Sequence, residues 1–293
     1  MIWILIKTAI TSTIPIMLAA EGATISELSG VINIALEGIM LLGAFFGALS
    51  AYYSNSWFIG LLVSILVGAS VGVLHAYISI DCRGDQIISG TGINVVAVGL
   101  TNMLLKTIFK HAGTTPNVPS IPHDLPGGLN ILDLFSLFLP FFLWWFYYYT
   151  PWGLRTRSVG EDPEVSEIMG ISVRKVRYIS VVTSSILASL GGAYLSLGVV
   201  GLFQQNMSGG RGFLGLAAMI FGNWNPIGSM IAAIFFGSTY ALQMYMQIRF
   251  YQFNIPPEVF LMLPYILAIL ALIGVMGKSH PPSSDGKPYT RQK

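Results

Sequence analysis

Long apolar runs recur from one end of this 293-residue chain to the other, and they constrain its fold more than any other feature. Hydrophobic residues make up 54% of the chain and charged residues 10%, against about 45–50% and about 25% in ordinary soluble domains. A soluble protein could not cover so much apolar area. In lipid, only helices and closed barrels satisfy their own backbone groups. Barrel strands alternate over about ten residues, whereas these runs are longer and continuous, so we predict an all-α polytopic membrane protein.

About twenty apolar residues cross a bilayer core as a helix, and the chain offers eight or nine such segments. The first could be mistaken for a signal peptide, but it has only Lys7 as a basic residue and membrane-like sequence follows, so we expect it to be retained. Segment 212–224 is too short to cross alone, and we expect a broken or re-entrant helix that lines a cavity. The predicted segments are 2–20, 34–53, 57–80, 86–109, 132–150, 176–199, 212–224, 227–247 and 258–276.

Basic residues flank one short connection and recur in the carboxy-terminal tail, which places both in the cytosol by the positive-inside rule. Those of the connection are Arg155, Arg157, Arg174, Lys175 and Arg177. Counting spans backward puts the turn around Asp81 and Arg83 inside and the amino terminus outside, with Lys106 and Lys110 outside against the rule. The tail, residues 279–293, is polar and rich in proline, which predicts disorder.

Composition also excludes several partners and sites. A net charge of +2 gives no basic surface for nucleic acid. A single cysteine, Cys82, excludes an internal disulfide and a thiolate cluster for metal. The loop 110–130 contains four prolines and a Gly-Gly pair, so it is an outer connector or a docking rim and not a helix.

The most charged stretch of the chain, RTRSVGEDPEVSEIMG at residues 155–170, lies between apolar segments. Asp162 is placed to cap a helix, Pro163 suits the first helical position, and Gly170 suits the residue after the helix end. The pattern therefore predicts a short helix at 163–169 on the cytosolic face. It is either a solvated connection with anchoring charges or a docking element for a cytosolic partner.

Three ordered stretches resemble the permease subunits of ABC importers for branched-chain amino acids, simple sugars and nucleosides. Residues 160–198 (GEDPEVSEIMGISVRKVRYISVVTSSILASLGGAYLSLG) resemble the cytosolic loop and following helix of that family. Residues 26–48 (SELSGVINIALEGIMLLGAFFGA) resemble its amino-terminal signature, and residues 209–243 resemble its carboxy-terminal one, most closely in nucleoside-type permeases. The chain departs from the family at Leu28 and Asn223, where members often carry arginine.

The resemblance implies a transmembrane permease domain over 1–278, multi-pass in the cell membrane, with a coupling loop at about 153–175 and a cytosolic tail at 279–293. Its implied partners are a second homologous permease, a cytosolic ABC ATPase that binds ATP and Mg²⁺, and an external substrate-binding lipoprotein. The chain itself would hold no cofactor. Helix 163–169 would be the coupling helix, and its implied ATPase-coupling residues are Asp162, Glu164, Val165, Glu167 and Gly170.

By resemblance alone, a nucleoside is the first choice of substrate, followed by simple sugars and riboflavin-like vitamins. The chain contains no G-x-x-x-x-G-K-[ST] motif, so it does not hydrolyse ATP itself. It also lacks the H-E-x-x-H and G-x-S-x-G motifs of hydrolytic enzymes. A stand-alone ion-coupled carrier is the alternative class, although intramembrane acids are sparse for a proton relay.

Polar residues within the predicted spans are candidates for a substrate pathway. Asn33 and Glu37 are spaced to share one helical face, and Glu37 either acts in the pathway or bonds to Asn33 or to backbone amides. Asn94 and Asn102 share another face and either bind a polar solute or join helices. The pathway candidates are Asn33, Glu37, Asn94, Asn102, Gln205 and Asn206.

Two G-x-x-x-G pairs predict close helix packing, and several aromatic residues are candidates for stacking on a planar ring. The pairs are Gly43 with Gly47 and Gly68 with Gly72. The aromatic candidates are Phe203, Phe213 and Trp224, although aromatic residues are also routine at membrane interfaces.

Overall fold

A computed structural model describes residues 2–110, 113–249, 256, 259–260, 262–264, 266–267, 269–270 and 279–289. Apart from two isolated β-bridges, the regular structure in these residues is helical. π-helical turns at Tyr77–Asp81 and Tyr194–Val200 extend α3 and α8. The α-helices are α1 (Ile2–Glu27), α2 (Leu36–Ser54), α3 (Trp57–Ala76), α4 (Gln86–Phe109), α5 (Ile131–Tyr149), α6 (Pro151–Glu161), α7 (Pro163–Ile168), α8 (Val173–Ala193), α9 (Arg211–Phe221) and α10 (Pro226–Arg249).

Seven helical segments in the described part of the chain are long and apolar enough to cross a membrane. This confirms the predicted all-α polytopic fold. The predicted short segment at 212–224 is the 11-residue α9, and most of the predicted segment 258–276 lies outside the described residues. The seven segments are Leu5–Glu27, Leu36–Ser54, Trp57–Asp81, Gln86–Phe109, Ile131–Tyr149, Val173–Val200 and Pro226–Arg249.

Helix α1 lies at the centre of the bundle, in contact with α8, α9 and α10. It continues seven residues beyond the predicted end at residue 20, because its polar last turns are buried against other helices. Thr24, for example, bonds to the backbone of Ala20 and to the hydroxyl of Ser229. A count of apolar residues ends this helix too early, since polar groups that find partners can also be buried.

The two predicted G-x-x-x-G pairs bring α2 and α3 close to α8. A Cβ atom on Gly43 would overlap the backbone of Ser189, and one on Gly68 would lie 2.6 Å from the Ser189 Cβ. The Ser189 hydroxyl donates to the carbonyl of Ser64 at 2.6 Å across the same interface. The packing interpretation of these glycines is therefore confirmed.

We expect Gly43→Ala to lower the stability of the detergent-solubilised protein by about 1–3 kcal/mol, the usual cost of overpacking a filled interface. Gly92→Ala on α4 is the matched control, because nothing lies within 4 Å of a Cβ at that glycine. The control should be neutral or stabilising, since alanine favours a helix over glycine. Thermal unfolding of both variants checks the prediction, and equal midpoints would contradict it.

The two ends of the bundle carry different contacts. At one end the loop after α8 bonds to the loop 110–130, with the Thr115 amide donating to Phe203 O at 2.9 Å. At the other end the turn after α3 meets the start of α8, where Asp81 and Arg174 form a two-pronged ion pair at 2.7 and 2.8 Å. The second end carries the basic residues that the positive-inside rule assigns to the cytosol.

Three features of the cytosolic end were not predicted from the sequence. Asp81 pairs with Arg174, and Asp85 caps α4 by accepting from the amides of Ile87 and Ile88. The connection before α7 is helical, since Thr150 caps α6 and Pro151 occupies its first position. Arg177, one of the basic residues of the connection, is only 2% exposed.

The tail differs from its predicted disorder. Residues 280–289, hereafter the strap, lie against the cytosolic ends of the helices instead of leaving the protein. Ser284 is buried, and its amide donates to Gly160 O at 2.9 Å. Polar composition predicts disorder when a segment has nothing to bury, but here backbone and hydroxyl groups find partners on the helix ends.

Candidate functional site

A cavity of about 600 Å³ lies where two interruptions of the helices meet. One interruption is the non-helical segment 28–35 just before α2, which contributes Ile34 to the cavity, and the other is the loop that contains Asn206 and precedes α9. The third wall is the middle of α4, around Asn94. Non-helical backbone within a membrane protein is tolerated where it lines a cavity, and helix interruptions of this kind form binding sites in transporters.

Glu37 joins the two interruptions. Its carboxylate oxygens accept the amides of Gly210 at 2.8 Å and Gly212 at 2.7 Å, at the start of α9. A carboxylate at this position satisfies unpaired amides and opposes the positive end of the helix dipole. Gly212 permits the approach, because a Cβ there would lie 2.5 Å from the Cα of Glu37. The interpretation in which Glu37 faces backbone amides is therefore the correct one for its immediate contacts.

Asn94 holds the start of α2 in place. Its Oδ1 accepts the amide of Gly38 at 2.7 Å, and its Nδ2 donates to Ile34 O at 2.9 Å. Both ends of the side-chain amide thus serve the backbone at the interruption, which supports the helix-joining interpretation. Because Asn94 also lines the cavity, it supports the cavity wall and retains one amide N–H and one lone pair for a solute.

Two other pathway candidates lie away from the cavity. Asn33 precedes α2, so the expectation that it shares a helical face with Glu37 is wrong; it donates to the hydroxyl of Ser184 at 3.0 Å behind the cavity. Asn102 is not among the cavity-lining residues, and its buried Oδ1 has no hydrogen-bond partner in the described structure.

The remaining two candidates lie in the loop before α9, and only one of them lines the cavity. Gln205 is exposed in the outer loop, where its backbone amide donates to Gly113 O at 2.8 Å. Asn206 lines the cavity in a left-handed backbone conformation, with φ of 56°. Of the six pathway candidates, the structure brings Glu37, Asn94 and Asn206 together.

The cavity surface is mainly apolar, with a few polar groups at its edge. Leu41, Val95 and Val98 form an aliphatic wall, and the half-exposed ring of Phe213 faces the same space. Thr91 and Ser208 add hydroxyl groups. Apolar walls with a few placed polar groups are typical of small-molecule sites.

The other two aromatic candidates pack or form hydrogen bonds within the protein, away from the cavity. Phe203 is fully buried against Phe45, with ring centroids 5.1 Å apart. Trp224 donates its indole N–H to Glu27 at 2.7 Å at the cytosolic end of α1. Only Phe213 of the three lies on the cavity.

The short helix α7 projects from the cytosolic end as the sequence predicts. Asp162 caps it by accepting the amides of Glu164 and Val165, each at 3.0 Å, and Gly170 follows it with φ of +83°. Ser166 faces inward and meets the hydroxyl of Ser158 on α6 at 2.7 Å. These contacts hold α7 against α6 and leave its opposite face exposed.

The exposed face of α7 is apolar at its tip, which the sequence analysis missed. Val165, Ile168 and Met169 are 53%, 83% and 76% exposed, in a segment that projects away from the bundle. An apolar cluster of this kind on a water-facing helix is typical of a docking surface. Val165 is among the predicted coupling residues but Ile168 and Met169 are not, although hydrophobic residues are rare in this charged stretch and the sequence therefore carried a signal for them.

Arg177 is the second feature that the sequence analysis missed. Its guanidinium donates to Ser29 O, to the Ser284 hydroxyl and to Lys287 O, each at 3.2 Å. Buried arginine is costly unless its donors are satisfied. Nearby, burial raises the pKa of Asp285 to about 6, although Arg177 and a hydrogen bond from Glu27 oppose that shift.

Comparison with known proteins extends the resemblance over most of the chain. A family model described as the permease component of branched-chain amino acid transport systems matches residues 5–272. The chain belongs to this family of permease components. With seven potential spans among its described residues, this permease component is an integral membrane protein. No solved structure matches it.

The relatives of this permease component are named for several different substrates. The guanosine ABC transporter permease protein NupQ of Bacillus subtilis is 36% identical, with 99% of this chain and 97% of that protein covered. The nucleoside ABC transporter permease protein NupC of Lactococcus lactis is 33% identical, with 99% and 98% covered. The putative glucose ABC transporter permease protein TsgC13 of Haloferax volcanii is 30% identical, with 82% and 77% covered.

No group of three or more histidine, cysteine, aspartate or glutamate side chains suited to a metal ion is found among the described residues of this permease component. His75, the histidine within a span, bonds to the Ser89 hydroxyl at 3.0 Å and to Ile32 O at 3.1 Å. Both ring nitrogens of His75 are therefore bonded within the protein.

Proposed function

We propose that this chain is the permease subunit of an ATP-driven importer for nucleosides. The observation that carries the proposal is full-length similarity, above 30% identity, to two permeases named for guanosine and for nucleosides. The cavity supports the substrate class, because its aliphatic wall and Phe213 ring suit the flat face of a nucleobase. The cavity lining also includes the hydroxyl groups of Thr91 and Ser208, which can bond to the polar edges of a nucleoside.

The proposed transport mechanism is alternating access without covalent chemistry. A separate ATPase, which holds ATP and Mg²⁺, takes the exposed tip of α7 into a groove on its surface. Nucleotide-driven closure of the ATPase moves α7, and the cavity opens alternately to the two sides of the membrane. A second homologous permease completes the pathway beside α4, and an external binding protein delivers the nucleoside.

Transport assays with purified components test this proposal. The permease pair, the ATPase and the loaded binding protein are reconstituted in vesicles, and uptake of radiolabelled guanosine is measured with and without ATP. Uptake that requires ATP and stops when the P-loop lysine of the ATPase is replaced supports the proposal. Uptake driven by an ion gradient in vesicles that contain this chain alone would instead establish a stand-alone carrier.

We expect Phe213→Ala to lower ATP-driven guanosine uptake about tenfold. Stacking of a base on an aromatic ring contributes about 1–3 kcal/mol, and about 1.4 kcal/mol corresponds to a tenfold change. Phe213→Tyr should retain most of the uptake because it keeps the ring. Phe58→Ala is the matched control, since Phe58 is a similarly exposed phenylalanine on α3 outside the cavity. Equal losses at Phe213 and Phe58 would contradict a role in stacking.

A further inference from the structure

The strap contacts both the helix α7 and the loop after α9. At its first residue the backbone amide of His280 donates to Asn223 Oδ1 at 2.8 Å. At its last described residue the hydroxyl of Tyr289 donates to the Glu167 carboxylate on α7. The other end of α9 is the end that Glu37 holds at the cavity. The strap therefore connects the exposed docking helix to the helix that lines the cavity.

The middle of the strap is held by both α6 and α8. The Ser283 hydroxyl donates to Glu161 at 2.8 Å, and the Ser284 amide donates to Gly160 O at 2.9 Å. On the other side, two of the three acceptors of the buried Arg177 guanidinium belong to the strap. Without the strap, those donors on Arg177 would lose the acceptors that offset its burial.

The surface beneath the strap is shaped for a close approach. A Cβ on Gly30 would lie 2.6 Å from the Ser284 Oγ, so any larger residue would push the strap away. Gly286 adopts φ of +72°, and a Cβ there would lie 2.8 Å from the Cδ1 of Ile32. Asn223 supplies an acceptor oxygen to His280, which arginine, the residue common at this position in the family, cannot do because it has no acceptor atom.

We propose that the strap is a mechanical tie that makes α9 follow the movements of α7, so that ATP hydrolysis stays coupled to opening of the cavity. This inference rests on the proposed function, in which α7 receives the force of the ATPase. In the described part of the chain, the main direct contacts of α7 with the bundle are short ones with α6 and α8. The strap adds a second attachment, at Glu167, and ends at the loop of α9.

Loosening the strap without removing it tests the tie. The double variant Ser284→Ala, Tyr289→Phe removes two side-chain hydroxyl groups and leaves the apolar packing in place. In the reconstituted transporter we expect at least a threefold rise in ATP molecules hydrolysed per nucleoside imported. We also expect at least fivefold faster hydrogen exchange of α7 amides in the purified chain. Tyr53→Phe, at an exposed tyrosine of α2, is the matched control and should change neither quantity.

A re-tethering experiment distinguishes a mechanical tie from general damage. Cysteines are introduced by Ser283→Cys and Glu161→Cys into the loosened variant, with the native Cys82 replaced by serine. A short bismaleimide that joins the two cysteines should return the hydrolysis-to-import ratio to within twofold of wild type. N-ethylmaleimide, which modifies both cysteines without joining them, should not.

The outcomes separate the inference from the proposed function. Faster exchange at α7 with an unchanged ratio would overturn the tie and leave the strap a structural element only. A raised ratio that the bismaleimide fails to restore would overturn it as well. Failure of the wild-type assembly to import nucleosides would count against the proposed function, whereas unchanged exchange at α7 in the loosened variant would overturn the tie alone, since that comparison needs neither ATPase nor substrate.

Discussion

Replacing Glu37 with alanine is expected to lower ATP-driven uptake at least about thirtyfold while the protein still inserts and folds. The carboxylate makes two charge-assisted hydrogen bonds to the start of α9, each contributing about 1.5–3 kcal/mol. Their loss frees the amides of Gly210 and Gly212 and releases α9 from α2. The cavity then loses the wall that these two helices form together. Uptake in vesicles, normalised to the amount of inserted protein, is the measurement.

Two further variants make the Glu37 prediction specific. Glu37→Gln keeps one acceptor oxygen for one of the two amides, so its uptake should lie between those of wild type and Glu37→Ala. Asp85→Ala is the matched control, because Asp85 also caps a helix with a carboxylate, but on the cytosolic side of α4 and away from the cavity. It should cost about 1 kcal/mol in stability and leave uptake unchanged. Wild-type uptake by Glu37→Ala would contradict the proposed role.

The sequence predicted those parts of the fold that depend on local patterns. Apolar runs placed the spans from α2 to α5 and α10 within a few residues, because a helix in lipid must present apolar side chains along its length. The short helix α7 followed from Asp162 and Gly170, whose capping roles depend on neighbouring backbone groups alone. Glycine pairs predicted close packing of α2 and α3 without indicating their shared partner, α8.

Local sequence patterns could not predict contacts between residues that are distant in the chain. Glu37 and Gly212 are 175 positions apart, and nothing near Glu37 in sequence indicates which amides its carboxylate meets. Arg177 reads as one more basic residue at a span end, yet its acceptors come from Ser29 and from the strap. The composition of the strap predicts disorder, because composition records what a segment could bury and not the partners that the fold supplies.

Within the cavity, residue type was a weaker guide than position. Asn33, Asn94 and Asn102 are chemically equal candidates, but only Asn94 faces the cavity, and its amide is engaged by the backbone of α2. Phe203 and Phe213 are ten residues apart, and one is in the core while the other faces the open space. The interruption of the helices decides which side chains reach the cavity, and no short motif encodes where that interruption falls.

Ile168→Glu on α7 is expected to reduce uptake at least about a hundredfold. The side chain is 83% exposed at the apolar tip, so the fold of the chain does not depend on it. If the tip enters an ATPase groove, it becomes a buried anchor, and such residues typically cost 2 kcal/mol or more when lost. A carboxylate adds the penalty of placing an unpaired charge in that groove. Co-purification of the ATPase with the permease and uptake in vesicles are the two measurements, and both should fall together.

Two control variants test whether the expected loss depends on an apolar side chain at position 168 and on its location in α7. Ile168→Leu keeps an apolar side chain of equal size and should retain most of the uptake. Val200→Glu places the same carboxylate at an exposed apolar position near the outer end of α8, where an ATPase cannot reach it, and co-purification should be unaffected. Undiminished co-purification of the ATPase with the Ile168→Glu variant would show that the motor engages another surface, because a buried, unpaired carboxylate at the tip is incompatible with tight docking there.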